Sequence, residues 1–325
     1  MTQTHAMRIH QPGGPEAMRW ESVDLPAPGP GEVLVENRAV GLNFIDVYYR
    51  TGHYKAPLPF VLGTEGVGVV EALGADVTGF ARGDRVAYVN PIGAYAERLI
   101  RPAARLVKVP DAIDDVQAAG MMLKGMTAEY LLRRTHRVEA GETILIHAAA
   151  GGVGQILCQW ASSLGATVIG TVGSRAKAEL ARQAGCAHVI VMDEEDLVAR
   201  VREITAGKGV PVVYDGIGAD SFARSIDCLA PLGLMASFGS ASGPVPPIDP
   251  LMLSNKGSLF FTRPTLAHYT ATTEQLRGSA ATLFHAVFKG DVTVRVNQTY
   301  ALRDAASAHA DLEARKLTGS TVLLV

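Results

Sequence analysis

Residues 148–154, Ala148-Ala-Ala-Gly-Gly-Val-Gly154, have the makeup of a backbone built to approach a ligand closely. They follow an apolar, β-branched run at 143–147 that reads as a buried parallel strand, and they precede a helix-like segment at 155–164. Such a strand–turn–helix brings the N–H groups of the helix's first turn, and the positive end of its dipole, to the turn. That arrangement favours a pyrophosphate. Gly151 lets the backbone come close because no Cβ intervenes, and Gly154 lets the helix pack on its strand. The G-x-G-x-x-G fingerprint is incomplete, because Ala149 stands where its first glycine would be. A glycine-rich turn can also do no more than reverse the chain. A second β-branched run at 167–172 completes the βαβ unit that a dinucleotide site requires. Ala149, Gly151, Gly152, Val153 and Gly154 are the candidate contacts.

Folds that prefer NAD carry an acid about 20 residues beyond the glycines, to bind the ribose 2′-hydroxyl. Here that place falls at Gly173, in Val172-Gly-Ser-Arg-Ala-Lys177, and no acid is present. Ser174, Arg175 and Lys177 suit a phosphate instead; a solvated basic helix start is the alternative. Basic residues at a helix N-terminus oppose its dipole, so a local anion helps to account for them. The expected cofactor is NADPH, with Gly173, Ser174 and Lys177 at its 2′-phosphate. Further on, Phe238-Gly239-Ser240 follows a strand. Gly239 either admits the nicotinamide ribose or simply turns the chain.

The elements that must position these residues fall into two patterns. Residues 1–120 are rich in Gly and Pro, with short strand-like runs at 32–40, 67–73, 85–89 and 106–109. This is a compact β-rich domain with few helices. A helix-like run at 118–134 marks the change. Strands then follow at 143–147, 167–172, 187–191, 210–214, 232–238 and 258–261, separated by helical segments at 155–164, 176–184, 195–206 and 219–229. That alternation describes a doubly wound parallel sheet in an α/β fold. The end of the chain reads as a helix at 273–289, a strand near 293–296, a helix at 304–314 and an apolar tail at 320–325 that returns to the first domain.

Composition narrows the function classes. The 325 residues hold 32 acids and 30 Lys and Arg, a formal charge of −2, which argues against nucleic acid or a membrane surface as the main partner. No apolar run reaches the ~18 residues of a spanning helix, and the first ten residues show no apolar signal region. A cytoplasmic location is expected. Cys158, Cys186 and Cys228 are far apart and odd in number, so they read as small buried hydrophobes rather than a disulfide framework.

Taken together, Gly41-Leu-Asn-Phe-Ile-Asp46, Leu62-Gly-Thr-Glu-Gly66, Gly83-Asp-Arg-Val86, Leu123-Lys-Gly-Met-Thr127, His147 with the glycine turn, Val213-Tyr-Asp215 and Ser237-Phe-Gly-Ser240 carry a resemblance along the whole chain. The sequence resembles the zinc-independent quinone oxidoreductases of the medium-chain dehydrogenase/reductase superfamily, the zeta-crystallin group. The resemblance implies a Rossmann doubly wound sheet inserted in a GroES-like β-rich catalytic domain. The domains would be 1–123 (catalytic), 124–264 (NADPH-binding) and 265–325 (return to the catalytic domain), with the active site in their cleft. It implies a homodimer as well.

Zinc-dependent relatives place a Cys ligand where this chain has Asn43 and a Gly-His-Glu where it has Gly63-Thr64-Glu65. Amide and hydroxyl are poor zinc ligands, so no metal is expected. A simple alcohol is then hard to deprotonate, whereas a quinone or enone spreads the charge of an incoming hydride over its own π system and needs only hydrogen-bond donors. Asn43, Tyr48, Tyr54 and Arg263 are candidates for that role, and the resemblance implies that they face the quinone. Each has a plainer reading: a turn residue for Asn43, packing for the tyrosines, an ion pair for Arg263. The resemblance puts the Thr127 hydroxyl on the nicotinamide carboxamide, with Lys124 beside it or merely exposed on its helix. It puts Phe238, Gly239 and Ser240 at the nicotinamide ribose, and Arg315 near a cofactor phosphate. Met192 replaces a tyrosine common in close relatives. The expected activity is metal-free, NADPH-dependent quinone reduction. An alkenal or enone double-bond reductase is the enzymatic alternative, and an RNA-binding or crystallin-type role the non-enzymatic one.

Overall fold

The computed structural model describes residues 2–325. The chain opens with β1 (Thr2–Ile9), β2 (Met18–Leu25), β3 (Glu32–Gly41), α1 (Phe44–Thr51), β4 (Phe60–Val61), β5 (Glu65–Leu73), β6 (Arg85–Val89), β7 (Arg98–Pro102) and β8 (Val107–Lys108). The middle of the chain runs α2 (Asp115–Tyr130), β9 (Thr143–Ile146), α3 (Gly152–Ser163), β10 (Thr167–Val172), α4 (Ala178–Gln183), β11 (His188–Val191), α5 (Leu197–Ile204), β12 (Val210–Asp215), α6 (Phe222–Asp227) and β13 (Leu229–Ser237). It closes with α7 (Pro250–Asn255), β14 (Phe260–Thr262), α8 (Leu266–Tyr269), α9 (Thr273–Lys289), β15 (Val296–Ala301), α10 (Ala305–Glu313) and β16 (Ser320–Leu324).

Two compact units result. One holds Met1–Lys124, Thr270–Phe284 and Val294–Val325; the other holds Gly125–Tyr269 and His285–Thr293. The segment 265–325, expected to lie wholly in the catalytic domain, is therefore divided, and α9 contributes residues to both units. Lys124 belongs with the first unit, although the sequence reading put it at the head of the second.

The first unit contains a three-stranded sheet in the order β2-β1-β4 and a larger sheet in the order β15-β16-β3-β5-β6-β8, with β7 paired to β3. The apolar tail does return: β16 runs antiparallel to β3, with Val322 opposite Gly41 and Leu323 opposite Val40. Val33, Val35, Val40, Leu62, Val86, Tyr88, Tyr95 and Leu323 form a core that also includes Leu302, Ala305 and Ala308 from the end of the chain. The expected strand near 293–296 lies instead at Val296–Ala301, where half-buried and exposed residues alternate along Val-Asn-Gln-Thr-Tyr-Ala.

The second unit is a six-stranded parallel sheet in the order β11-β10-β9-β12-β13-β14. Its strand order reverses between β9 and β12, and in open α/β sheets ligands bind outside the carboxyl ends of the strands at such a reversal. Ile144, Leu145 and Ile146 are fully buried; burying side chains of this kind contributes roughly 1.5–3 kcal/mol each. α2 continues into a π-helical turn, Leu131–Thr135, that the plain helical reading of 118–134 did not foresee.

Candidate active site

The glycine turn expected to hold a dinucleotide lies at the carboxyl end of β9. His147 closes the strand and is buried, with Nδ1 3.0 Å from the Thr171 hydroxyl and Nε2 2.9 Å from that of Ser225. Ser225 donates to Asp215 Oδ2 at 2.9 Å, so its oxygen accepts from His147 Nε2–H. Burial holds the imidazole below its usual range, in keeping with this neutral form. Asp215, fully buried at the end of β12, also accepts from the Ser221 hydroxyl and from the N–H groups of Ile217 and Gly218. The two strands flanking the reversal are thereby tied together beneath the turn.

The turn itself is tight. Ala148 sits at φ +52, and the Gly151 N–H donates back to its carbonyl at 2.8 Å. Gly151 caps α3, and the first helical hydrogen bond runs from Gln155 N–H to Gly151 O. The N–H groups of Gly152, Val153 and Gly154 belong to the first turn, where a helix offers them no internal acceptor. A Cβ on Gly154 would lie 2.1 Å from the Ala148 carbonyl oxygen, so this glycine is demanded by helix–strand contact. Ala149 behaves differently from expectation. Its N–H goes to Thr171 O at 2.9 Å and its methyl is buried, so neither faces outward.

At the end of β10, a Cβ on Gly173 would meet nothing within 4 Å. Ser174 precedes a short 3-10 turn, Arg175–Lys177, and both Ser174 and Lys177 are half-buried. The exposed Arg175 pairs with Glu194. Met192 packs against the apolar core of this unit.

Phe238 and Gly239 follow β13. The glycine is explained by the fold: a Cβ would lie 2.5 Å from the Gly216 carbonyl oxygen. Close approach to a ribose is not needed to account for it. Arg263, just past β14, donates to Ser237 O at 2.9 Å and lies 3.5 Å from Ser240 Oγ, so it latches this turn. Thr127 is buried on α2 in the same unit.

Three of the residues expected at the acceptor belong to the other unit, where Asn43 is the N-cap of α1. α1 was not anticipated, although its signals are local. Asp46 accepts the Asn43 N–H at 2.9 Å, and Gly52 ends the helix at φ +80. Tyr48 is buried on this helix and stacks edge-on against His53 and Tyr54. The Tyr54 N–H donates to Tyr48 O at 2.9 Å, which fixes the loop to the helix. The structure thus gathers Asn43, Tyr48 and Tyr54 on one element and its outgoing loop. Arg263 lies in the other unit. Arg315 occupies an exposed position at φ +58, after α10 in the first unit.

Sequence reading missed the acids around Asn43. Asn43 Nδ2 donates to Glu65 Oε1 at 2.8 Å, and Lys124 Nζ donates to the same oxygen at 2.9 Å. Glu65 Oε2 accepts the Leu123 N–H at 2.6 Å. Glu65 is fully buried and Lys124 is 5% exposed, so Lys124 is not a solvent-facing helix charge. The signal was available: Glu65 opens an apolar strand, and a carboxylate in such a run needs partners. Thr64, at the other place where zinc relatives hold a ligand, donates its hydroxyl to Asp46 Oδ1 at 2.9 Å. Asp46 also accepts from Tyr95, whose hydroxyl is 3.3 Å from His309 Nε2. Behind it, Arg50 Nη1 is 3.4 Å from His309 Nδ1 and Nη2 pairs with both Glu313 oxygens.

Comparison with known proteins matches two domain families along the chain. Residues 29–139 match the alcohol dehydrogenase GroES-like domain, and residues 152–284 match the zinc-binding dehydrogenase domain. A quinone oxidoreductase of Pseudomonas aeruginosa is 54% identical over 314 residues, covering 96% of this chain and 97% of the relative. The chain belongs to the quinone oxidoreductase family of the medium-chain dehydrogenase/reductase superfamily. The crystal structure of Escherichia coli quinone oxidoreductase complexed with NADPH superposes with a TM-score of 0.97 at 46% identity, covering 99% of this chain and 100% of that one. A 2-haloacrylate reductase of Burkholderia is 48% identical, with 97% of each chain covered. The expected fold, a Rossmann sheet inserted in a GroES-like domain, holds for this family member.

Proposed function

We propose that the protein is an NADPH-dependent quinone reductase, and that Asn43, Tyr48, Tyr54 and Arg263 serve the acceptor. The observation that carries this reading is similarity to quinone oxidoreductases over nearly the whole chain, at 54% identity in the Pseudomonas protein. The residues present fit the cofactor. Gly173 leaves open space where an acid would disfavour a 2′-phosphate, and the first turn of α3 offers its N–H groups to a pyrophosphate.

When bound, NADPH supplies a hydride from its nicotinamide. Gly151, Gly152, Val153 and Gly154 hold the pyrophosphate by backbone contact. Ser174 and Lys177 hold the 2′-phosphate, and Arg315 is a further phosphate contact. Thr127 meets the carboxamide. Phe238, Gly239 and Ser240 shape the turn beside the nicotinamide ribose, with Arg263 keeping that turn in place. Asn43 and Tyr48 donate to the acceptor oxygen as charge builds on it, and Tyr54 supports Tyr48 by ring contact. The proton that completes the quinol comes from water.

A second reading, reduction of an activated C=C bond, is favoured by the 48% identity to the 2-haloacrylate reductase. Both readings use the same hydride and the same donors. Cytoplasmic location and a homodimeric state are part of the same proposal. The deciding measurement is NADPH oxidation with a panel of quinones, 2-alkenals and 2-haloacrylate. Quinones should be turned over with the highest kcat/KM. If alkenals or haloacrylate outpace every quinone, the second reading replaces the first.

A further inference from the structure

We infer that Glu65 and Lys124 are a positioning pair for the Asn43 donor: the carboxylate fixes the direction of the amide, and the ammonium neutralises the carboxylate. This rests on the reading of Asn43 as a donor to the acceptor oxygen.

The geometry is specific. Asn43 Nδ2 and Lys124 Nζ converge on one oxygen, Glu65 Oε1, at 2.8 and 2.9 Å. The other oxygen is held by the Leu123 N–H at 2.6 Å. Room for the carboxylate is made by Gly41, where a Cβ would lie 2.1 Å from Glu65 Oε1. An amide flanked by a carboxylate must turn its nitrogen, not its oxygen, toward it. The two hydrogens of a planar amide nitrogen diverge, so anchoring one on Glu65 fixes where the second points. Left alone, Asn43 could present either face to an acceptor.

The carboxylate by itself would be harmful. A buried negative charge one amide away from the acceptor opposes both delivery of a hydride and growth of an oxyanion. Lys124 cancels that charge at contact distance. In this arrangement a cation stands beside the donor without touching the acceptor, and the orienting bond is kept while its electrostatic cost to the reaction is removed.

Two variants test the pair. In Lys124→Met, Glu65 keeps its place without a counter-charge. Removing one partner of a buried pair leaves the other charge uncompensated, so Tm and quinone kcat should both fall below wild type. In the double variant Glu65→Gln with Lys124→Met, the buried charges are gone together and stability should return, as it often does when both members of a buried pair are replaced. Its kcat should stay down by about tenfold, because a neutral acceptor holds the amide less firmly than a charged one. NADPH affinity, read by quenching of protein fluorescence, should remain within about twofold of wild type in both.

A purely structural pair would regain kcat with Tm in the double variant, and that result would overturn the proposal. A loss of NADPH affinity matching the loss of kcat would also overturn it, by making Lys124 a cofactor ligand. If Lys124→Met does not fold, the double variant's kcat at restored Tm still decides. If wild type reduces no quinone or enone, the functional reading fails. The Tm of Lys124→Met then reports separately on whether Lys124 neutralises Glu65, and an unchanged Tm would overturn that.

Discussion

At the scale of single residues, cofactor choice turns on one open position and one lysine. Gly173 has free space around its missing Cβ, so Gly173→Asp should be accommodated and would place a carboxylate where a 2′-phosphate must go. NADPH affinity should drop and NADH affinity should rise. Lys177→Ala should weaken NADPH by about tenfold, the lower end of what a hydrogen bond to a charged group contributes, and leave NADH nearly unchanged. Dissociation constants for both cofactors check this; equal losses would remove Lys177 from the 2′-phosphate. A second prediction concerns the pair Asp46 and His309. Burial pushes the Asp46 carboxyl up to about 7 against the hydrogen bonds from Thr64, Asn43 and Tyr95. The folded chain therefore keeps a proton that the unfolded chain releases from its ordinary value of 3.8, and this contribution to stability falls as pH rises through that window. His309 acts in the opposite sense. Burial, and then Arg50, push it from 6.5 down to about 3, so the unfolded chain takes up a proton the fold refuses, and stability rises with pH between those values. In wild type the two slopes offset each other over their shared range. Asp46→Asn removes the falling one, so its urea midpoint should climb more steeply between about pH 4 and 6 than that of wild type. Parallel profiles would show that Asp46 is not the compensating group.

At the scale of elements, glycines with the same sequence signal have opposite physical roles. Gly154 lies where α3 crosses β9, and a Cβ there would stand 2.1 Å from a backbone oxygen that cannot move away. Gly154→Ala should destabilise by about 1–3 kcal/mol or more, as overpacking does, whereas Gly173→Ala should be nearly neutral. Thermal unfolding of the two variants side by side separates them, and similar losses would contradict the contact at Gly154. The sequence made the first of these roles legible because strand, turn and helix are contiguous. It also made β10 legible to the residue, at Thr167–Val172, because a β-branched run set between Gly165 and Gly173 has clear ends. α1 was not legible: six of the eight residues in Phe-Ile-Asp-Val-Tyr-Tyr-Arg-Thr are aromatic or β-branched, and its Asn43 cap and Gly52 terminator are the local signals of a helix. β15 is polar enough to read as loop until its pairing with β16 is seen. The donor cluster was least legible of all. Glu65 lies 22 residues from Asn43 and 59 from Lys124, and only the β3–β5 register and the docking of α2 bring them together. Pattern in a sequence reports which face a residue takes, not which distant residue shares it.

At the scale of the whole molecule, the edge of the parallel sheet is a candidate interface for the proposed dimer. β14 is the outermost strand on its side, and Phe260, on that strand, is 59% exposed. Leu251 on α7 and Leu232 within β13, in the same unit, are 61% and 67% exposed. An open edge carrying a large apolar side chain invites pairing, and natural edges are usually blunted by charge or proline. β14 itself, Phe260-Phe261-Thr262, has neither. A second copy related by a two-fold axis would satisfy this edge, because a strand paired with its own image across such an axis runs antiparallel and the contact closes on itself. Phe260→Lys should then put like charges near the axis of the interface. It should shift the sedimenting species from two chains to one at micromolar concentration, while the monomer keeps its secondary structure by circular dichroism. A wild-type protein that sediments as a single chain throughout would remove the dimer. A dimer unmoved by Phe260→Lys would place the interface elsewhere. Because Arg263 follows β14 directly and latches Ser237 and Ser240, the same variant should also lower quinone turnover to a small extent. Loss of the paired edge frees the strand that carries the latch.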